Sequence, residues 1–486
     1  MKPDSQRFHA FTQSPYPWEV EAVGFLREEL TDAEPNRVFA LFDFTSHDGK
    51  LSEVDALVLT QKGLFLVEIK SRPGRLSGDT GTWTWHSPDG KRHTTDSPVN
   101  LAQRKAQRLK DLLVRQRAFL ESRSPLPFVQ PLVFLSAADL KVDLDERARY
   151  HVCTRANDSK TRSLRSALTE FTAEDRSEGR RTLIDAQTAR TLEKAMAQAG
   201  IRPSVRQKRF TNAYELEKLL LEGTHYQDWL ARHLIADKVH RRIRIYPVAT
   251  TVDADARMML NRAARREFHV LQGIQHQGIL KAIDFQEGDQ GPGLVFEHDP
   301  AAVRLDHFLR DEGHTLDRTQ RLAILRQIAE AVRYAHDRRL VHRALSPQSV
   351  LIRRLPHGAF ATHVYNWQTA AREATTGGSV GLTLTKHVES LTDPAALVYL
   401  APETQNDPLA RAEHLDVFGL GGIAWLLFAG RPPAEDSQSL RSRIVREDGL
   451  LIAAAVDNVA PTIVDLIRDS TKPRVADRYN TVGEFL

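Results

Sequence analysis

The stretch Leu51–Ser71, LSEVDALVLTQKGLFLVEIKS, decides how the first part of the chain is read. Val54, Ala56 and Val58 alternate with Asp55, Leu57 and Leu59, and Gln61-Lys62-Gly63 supplies a turn. The pattern predicts a β-hairpin. In its second strand Phe65, Val67 and Ile69 take one face, and Leu64, Leu66, Glu68 and Lys70 take the other. Period-two geometry sets Glu68 and Lys70 side by side, about 7 Å apart along the strand. An apolar strand that gives two same-face positions to charges either carries a solvated ion pair on an edge or builds a site. Asp55 on the neighbouring strand favours the site.

Two carboxylates and a lysine are what a magnesium centre for phosphodiester cleavage uses. Carboxylates give hard oxygen ligands and leave positions for water and a phosphate oxygen. A lysine beside them orients the attacking water and stabilises charge growing on phosphorus. Asp55 and Glu68 are therefore the candidate ligands for Mg2+ or Mn2+, and Lys70 the candidate catalytic cation. The spacing D-x12-E-x-K resembles the restriction-endonuclease superfamily. With the turn and Gly74 of Ser71–Leu76 (SRPGRL), it resembles the nuclease-related domain (NERD) in particular. That resemblance implies a catalytic glutamate in the first helix. Trp18-Glu19, ahead of Val23, Phe25, Leu26 and Leu30, puts Glu19 there, with Glu21 as the alternative. A nuclease-like fold that binds without cleaving stays open.

At 486 residues the chain is too long for one core and implies two or three domains. Apolar residues at 41% and charged residues at 27% are those of ordinary globular protein. A net charge of only +4 confines any nucleic-acid surface to a local patch. The single cysteine, Cys153, excludes an internal disulfide and fits a reducing cytoplasm. No hydrophobic leader opens the chain. Its longest apolar run, Phe418–Gly430, is too short to span a membrane. The chain ends at RYNTVGEFL, inside the start of a helix, so it is expected to be part of a longer protein.

A first helix is expected at about 18–31, a strand at Arg37–Phe44, then the hairpin. Gly74–Trp85 reads as a short strand pair whose Trp83 and Trp85 are expected to pack rather than stack bases. A helix is predicted from Pro98 to Leu120, with Leu101, Leu109, Leu112, Leu113 and Phe119 as its apolar stripe. Arg104, Lys105 and Arg108 on its polar side are either a solvated face or backbone phosphate contacts to DNA. Pro131–Ser136 closes a nuclease-like domain at 1–138. Residues 139–205 read as a partly helical connecting region, with one clear helix at Ala186–Ala199.

A second pattern begins near Arg206, with a small lobe over 206–300 and a large lobe over 301–486. Ala263–Gln275 and the strand Ile279–Phe285 resemble the small lobe of protein kinases, with Glu267 at the position of the αC glutamate. YAHDRRLVHRALSPQSVLI (334–352) resembles the kinase catalytic loop, Ala401-Pro402-Glu403 the APE segment, and Asp416–Gly421 the start of the following helix. Arg478 falls where the arginine partner of the APE glutamate sits. His342 and Arg343 are kept as well. The catalytic positions are not. Tyr246 replaces the nucleotide-binding lysine, and the catalytic aspartate is Ala344. Ser346 replaces the phosphate-stabilising lysine, Ser349 the metal-binding asparagine and Asn366 the metal-binding aspartate. The phosphate-covering loop has Gly223 alone, with bulky His225 and Tyr226. Phosphoryl transfer needs magnesium, the lysine and the base positioned together, so this module is expected to transfer no phosphate and to bind ATP weakly or not at all.

The expected fold is thus an α/β restriction-endonuclease-like domain followed by an α+β, bilobal protein-kinase-like domain. The combination resembles the NERD–kinase proteins of bacteriophage-growth-limitation and BREX-type defence systems, carried by GLFLVEIKSRPGRLSGDTGTWTW, EGTHYQDWLARH, VFEHDPAAVRLDHFL and LVHRALSPQSVLI. The resemblance implies a cytoplasmic role in defence, with DNA and other defence proteins as partners, including a DNA methyltransferase. Homo-oligomers are left open. Two readings follow: a metal-dependent DNA nuclease with a regulatory or docking kinase-like module, or a non-cleaving recognition and signalling scaffold that feeds an active kinase domain beyond Leu486. Convergence of Glu19, Asp55, Glu68 and Lys70 on one cleft would favour the first.

Overall fold

The computed structural model describes the chain except residues 15, 123, 159, 172–183, 205–207, 224–225, 237, 248–260, 262–263, 266, 289, 373–391, 393 and 407–412. It forms two compact units that meet in sequence at Lys208 and Arg209.

The first unit is built on one mixed sheet. Strands β1 (Phe8–Ala10), β2 (Arg37–Thr45), β3 (Leu51–Leu59) and β4 (Leu64–Lys70) lie in order, with β2, β3 and β4 antiparallel. The turn closes with Thr60 N–H donating to Gly63 O at 2.9 Å. Strands β5 (Gly74–Gly78), β6 (Thr82–His86) and β7 (Arg92–Asp96) leave this sheet to form a smaller one. The chain returns through β8 (Val129–Leu135), parallel to β4, while β9 (Leu140–Leu144) joins the small sheet beside β5. Strands β10 (Val152–Thr154) and β11 (Arg162–Ser163) extend the main sheet in parallel, and β12 (Arg202–Pro203) pairs with β2.

Residues 139–205 are therefore not a connector. They supply β10 and β11 at one edge of the main sheet, β12 paired with β2, β9 in the small sheet, and the helix Ala186–Gln198, whose Ala189, Leu192 and Met196 are core residues.

Helix α1 (Pro17–Glu28) packs Ala22, Val23 and Leu26 on the sheet face that carries Phe65, Val67 and Ile69. Helix α2 (Pro98–Val114) covers the opposite face, that of Leu64 and Leu66, with Ala102, Ala106, Leu109 and Leu113. The predicted long helix stops at Val114, and a separate turn, α3 (Arg117–Leu120), follows. Trp83 and Trp85 are both buried in the core of the small sheet, their rings edge to face at 6.5 Å.

The second unit opens with an antiparallel sheet ordered β13 (Lys208–Phe210), β14 (Tyr214–Glu222), β15 (Gln227–His233), β16 (His240–Ile245), β18 (Gly291–Glu297), β17 (Ala282–Gly288). Helical residues 267–272 carry Val270 and Leu271 into its core. The larger lobe is helical. Its helix Arg318–His336 begins with a capping box between Asp317 and Gln320. The apolar run from 418 falls in the helix Glu413–Ala429, which is buried from Leu415 to Leu427, and Gly430 follows the helix. Gly419 and Gly421 are required there, because a Cβ would lie 2.6 Å from Leu345 O and 2.6 Å from Thr471 Cγ2 respectively. Among the described residues no helix is long and apolar enough to cross a membrane.

Candidate functional sites

The hairpin opens where its acidic residue sits. The β3–β4 ladder ends at Ala56↔Val67, and on the other side the Leu41/Asp55 step drops out between Ala40↔Ala56 and Phe42↔Val54. Leu41 adopts φ +59°, a left-handed conformation uncommon for a branched apolar residue, which marks an irregularity in the ladder. Asp55 is thus freed from regular pairing. Its Oδ2 accepts the Ile69 N–H at 2.6 Å, taking the place of a backbone carbonyl.

Glu68 lies on the α2 side, buried, with both oxygens engaged. Lys70 Nζ donates to Oε1 at 2.8 Å and Lys105 Nζ to Oε2 at 2.8 Å. Burial would push the Glu68 carboxyl up, but the ammonium groups of Lys105 and Lys70 outweigh it and hold it at about 2. Asp55 has no such direct partner. Burial, and then the charge of Glu68, push it up to about 7. Both lysines are raised, because the charges of Glu68 and Asp55 outweigh burial. The Lys70 side chain remains 37% exposed, whereas Lys105 is 8% exposed.

Asp55, Glu68 and Lys70 therefore share one place. The Oδ1 of Asp55 accepts no hydrogen bond among the described residues. A carboxylate raised by burial and then by the charge of Glu68, with one oxygen that accepts no hydrogen bond among the described residues, is what a divalent cation would relieve, so the donor set fits Mg2+ or Mn2+. Asp55 and Glu68 are the residues that would hold it.

The first-helix glutamates are engaged elsewhere. Glu19 accepts from Ser14 Oγ, and Glu21 pairs with Arg155, whose Nη1 lies at 2.7 Å. Neither is bonded to Asp55, Glu68 or Lys70. The α2 basic residues divide as well. Arg104 is exposed, and Arg108 is partly buried with Nε 3.9 Å from Asp48 Oδ2. Lys105 is a correction: it lies on the buried stripe of Ala102, Ala106 and Leu109, inside the carboxylate site, and is no surface phosphate contact. The signal was present in the spacing 102, 105, 106, 109, 113, a helical stripe with a lysine in it.

In the second unit, the described side chains at the positions of the kinase catalytic residues are bonded to one another. Arg244, two residues before Tyr246 and so on the same face of β16, is 1% exposed. All five of its N–H groups are used. Nε and Nη2 donate to Asp228 at 2.7 and 2.9 Å, and Nη1 to Glu267 and Gln368, each at 2.9 Å. The second Nη2 hydrogen goes to Asn366 Oδ1 at 2.5 Å. Tyr246 adds its hydroxyl to Glu267 Oε2 at 2.5 Å. With Tyr246 in place of the lysine, the ionic partner of Glu267 is Arg244.

Arg242 binds Asp228 Oδ2 through Nε at 2.9 Å and Nη2 at 2.7 Å, so two guanidinium groups balance two carboxylates. Burial would raise Asp228, but Arg244 and Arg242 outweigh it and lower it. For Glu267 burial prevails over Arg244, and its pKa is raised.

The loop residue Tyr226 folds its ring over the Arg244 guanidinium, 4.1 Å from the ring centre, and against Gly223, where a Cβ would meet it at 2.4 Å. His225 lies outside the described residues. Ser349 is tied back to its own loop, its hydroxyl donating to Ser346 O at 2.7 Å and accepting from Ser346 N at 2.9 Å. The remaining cleft, lined by Tyr226, Ala344, Ser346, Ser349, Asn366 and Gln368 among others, offers about 20 Å³, room for about one water. The scaffold behind it is kept. Asp416 accepts from His342 N and Arg343 N, each at 2.8 Å, and Arg478 Nη2 donates to Glu403 at 3.0 Å.

These two sites and their folds define a nuclease-related domain joined to a protein-kinase domain. Residues 15–136 match the nuclease-related domain family and residues 241–483 the protein kinase domain family, and the chain belongs to the latter with a NERD domain ahead of it. Over its whole length it is similar to the probable kinase PglW of Streptomyces coelicolor, 31% identical over 504 residues that take in 99% of this chain and 31% of that protein. It is also similar to a probable myosin light chain kinase of Dictyostelium discoideum, 24% identical over 269 residues (55% of this chain, 51% of that protein). The serine/threonine-protein kinase PrkC of Bacillus subtilis is 24% identical over 281 residues, 57% of this chain and 40% of that protein. The chain thus spans about a third of the first relative and about half of the second.

Proposed function

We propose that the N-terminal unit is a divalent-metal-dependent phosphodiesterase acting on DNA, and that the kinase-like unit is a catalytically degenerate module for regulation or partner docking. The observation that carries the first part is the meeting of Asp55, Glu68 and Lys70 at the opened end of the β3–β4 hairpin. Asp55 and Glu68 would hold Mg2+ or Mn2+, which supplies a Lewis acid for the phosphoryl oxygen and a lower-pKa water. Lys70, whose side chain is partly exposed, would then orient the attacking water and stabilise the charge growing on phosphorus. The second part is supported by the use of Arg244, Asn366 and Ser349 within the protein, where each is bonded to another protein group in place of magnesium or a triphosphate.

The setting we propose is cytoplasmic anti-phage defence, with DNA and other defence proteins, including a DNA methyltransferase, as partners. One observation favours a second reading. Both oxygens of Glu68 are held by lysines, which suits a site that binds a nucleic-acid backbone without cutting it, in a scaffold for a kinase domain elsewhere.

Cleavage of methylated and unmethylated duplexes with Mg2+ or Mn2+ by the full chain separates the two. Wild type cleaves under the first reading, and Lys70→Ala loses roughly 100- to 1000-fold in rate, the usual cost of one transition-state contact. A folded Lys70→Ala protein that cleaves as wild type would refute it.

A further inference from the structure

Lys105 bonds Glu68 at the carboxylate site although the two-carboxylate, one-lysine pattern does not require it. Its ammonium lies 2.8 Å from Glu68 Oε2 and its side chain is 8% exposed, on a helix face otherwise made of Ala102, Ala106 and Leu109. Burying a lysine costs free energy unless the charge is matched. Here it is matched by Glu68, whose two oxygens take Lys70 and Lys105, with Asp55 beside them. A divalent ion entering between the carboxylates would face an ammonium that cannot swing into water, in surroundings that screen charge poorly. Lys70, more than a third exposed, opposes it less.

We propose that Lys105 is a built-in counter-cation of this centre, competing with the divalent ion for Glu68 and keeping the affinity of the free protein for that ion low. It is a positioning residue that acts through Glu68 and does not touch the substrate. The inference rests on the reading of Asp55 and Glu68 as divalent-ion ligands. It adds that the ion is held firmly only when a phosphodiester brings compensating negative charge, so that metal and nucleic acid bind together.

Mn2+ binding to the full chain, read by calorimetry and by the electron-paramagnetic signal of free Mn2+, tests this without relying on activity. Wild type, Lys105→Met, Lys105→Gln and Glu68→Gln are compared, with and without a DNA duplex. Lys105→Met and Lys105→Gln are expected to bind Mn2+ at least tenfold tighter than wild type in the absence of DNA. Adding DNA should tighten wild type more than either variant, and Glu68→Gln should lose binding. Lys105→Gln keeps an N–H for Glu68 Oε2 and carries the comparison if the Met variant does not fold. Folded Lys105 variants with unchanged or weaker Mn2+ affinity, beside a wild type that binds, overturn the inference and leave the metal reading intact. Failure of wild type and every variant to bind Mn2+ with or without DNA overturns both. Failure of both Lys105 variants to fold also overturns it, by making Lys105 a requirement of the core.

Discussion

Arg244→Met tests whether the kinase-like unit is held shut by its own side chains. The substitution keeps the length and apolar stem of the residue and removes five hydrogen bonds. Asp228 keeps both bonds from Arg242, so its charge stays covered. Glu267 is left with the Tyr246 hydroxyl and no cation. Removing one partner from a buried pair costs about 3–5 kcal/mol. For a unit of this size that is roughly 2 °C of melting temperature per kcal/mol, hence a fall of roughly 6–10 °C.

Arg244→Lys is predicted to be intermediate. An ammonium has three donors for five acceptors, and each buried acceptor left over costs about 1–3 kcal/mol. Arg244→Met combined with Glu267→Met should recover at least half of the loss, since no charge is then left unpaired. Differential scanning calorimetry of the full chain reads the melting temperature, and hydrogen exchange in peptides covering β16 assigns the change to this unit. Arg326→Met, which removes an exposed pair with Glu330 at 3.5 Å, serves as the control and should cost no more than about 1 kcal/mol. In parallel, calorimetry with MgATP should show nothing tighter than millimolar for wild type. An Arg244→Met protein that melts with the control, or micromolar magnesium-dependent ATP binding by wild type, would refute the reasoning.

Two further outcomes are expected. Arg104→Glu and Arg108→Glu on α2 should weaken binding to unrelated duplexes by the same factor and flatten the salt dependence, by about 0.9 in slope for each lost phosphate contact; unchanged slope and affinity would return both residues to a solvated face. The second unit should lose stability as the pH falls below about 6.5. His342 is buried as the neutral ring, donating from Nε2 to Tyr365 O at 2.8 Å and accepting from Ala344 N at 3.3 Å through Nδ1, and burial lowers its pKa against the pull of Asp416. A base with a depressed folded pKa contributes fully above its unfolded value of about 6.5, and that contribution is lost as the ring is forced to protonate, at up to about 1.4 kcal/mol per pH unit. His342→Asn should reduce the slope of melting temperature against pH between 6.5 and 5, and an unaltered slope would show that other groups carry it.

The hairpin was legible because strand period and turn chemistry agree over twenty residues, and period two alone places Glu68 beside Lys70. Lys105 was not, because a lysine in a basic helix is scored by its charge. Its place on the 102–106–109–113 stripe puts it in the core, where only Glu68 makes it tolerable. The strands at 152–154 and 162–163 escaped for another reason. They are two or three residues long and hydrogen-bond in parallel to chain that is distant or adjacent only through a turn, so they have no alternation of their own.

Arg244 escaped because the kinase pattern has its cation at one register position, and Tyr246 occupies it. The physical requirement is weaker than a position. Any cation on that face of β16 that reaches Glu267 meets it, and the residue two places earlier does. Both sites end with two carboxylates against two cations, yet they differ in what can still enter. At Asp55 and Glu68 one carboxylate oxygen accepts no hydrogen bond among the described residues and the Lys70 side chain is partly exposed. At Asp228 and Glu267 every guanidinium hydrogen of Arg244 is already placed and an aromatic ring lies over it. An incoming triphosphate would have to break a neutral buried cluster before making its first contact. The same charge count therefore goes with a partly exposed lysine and a carboxylate oxygen without a hydrogen bond at one site, and with a fully paired guanidinium at the other, and the proposed roles of the two units rest on that contrast.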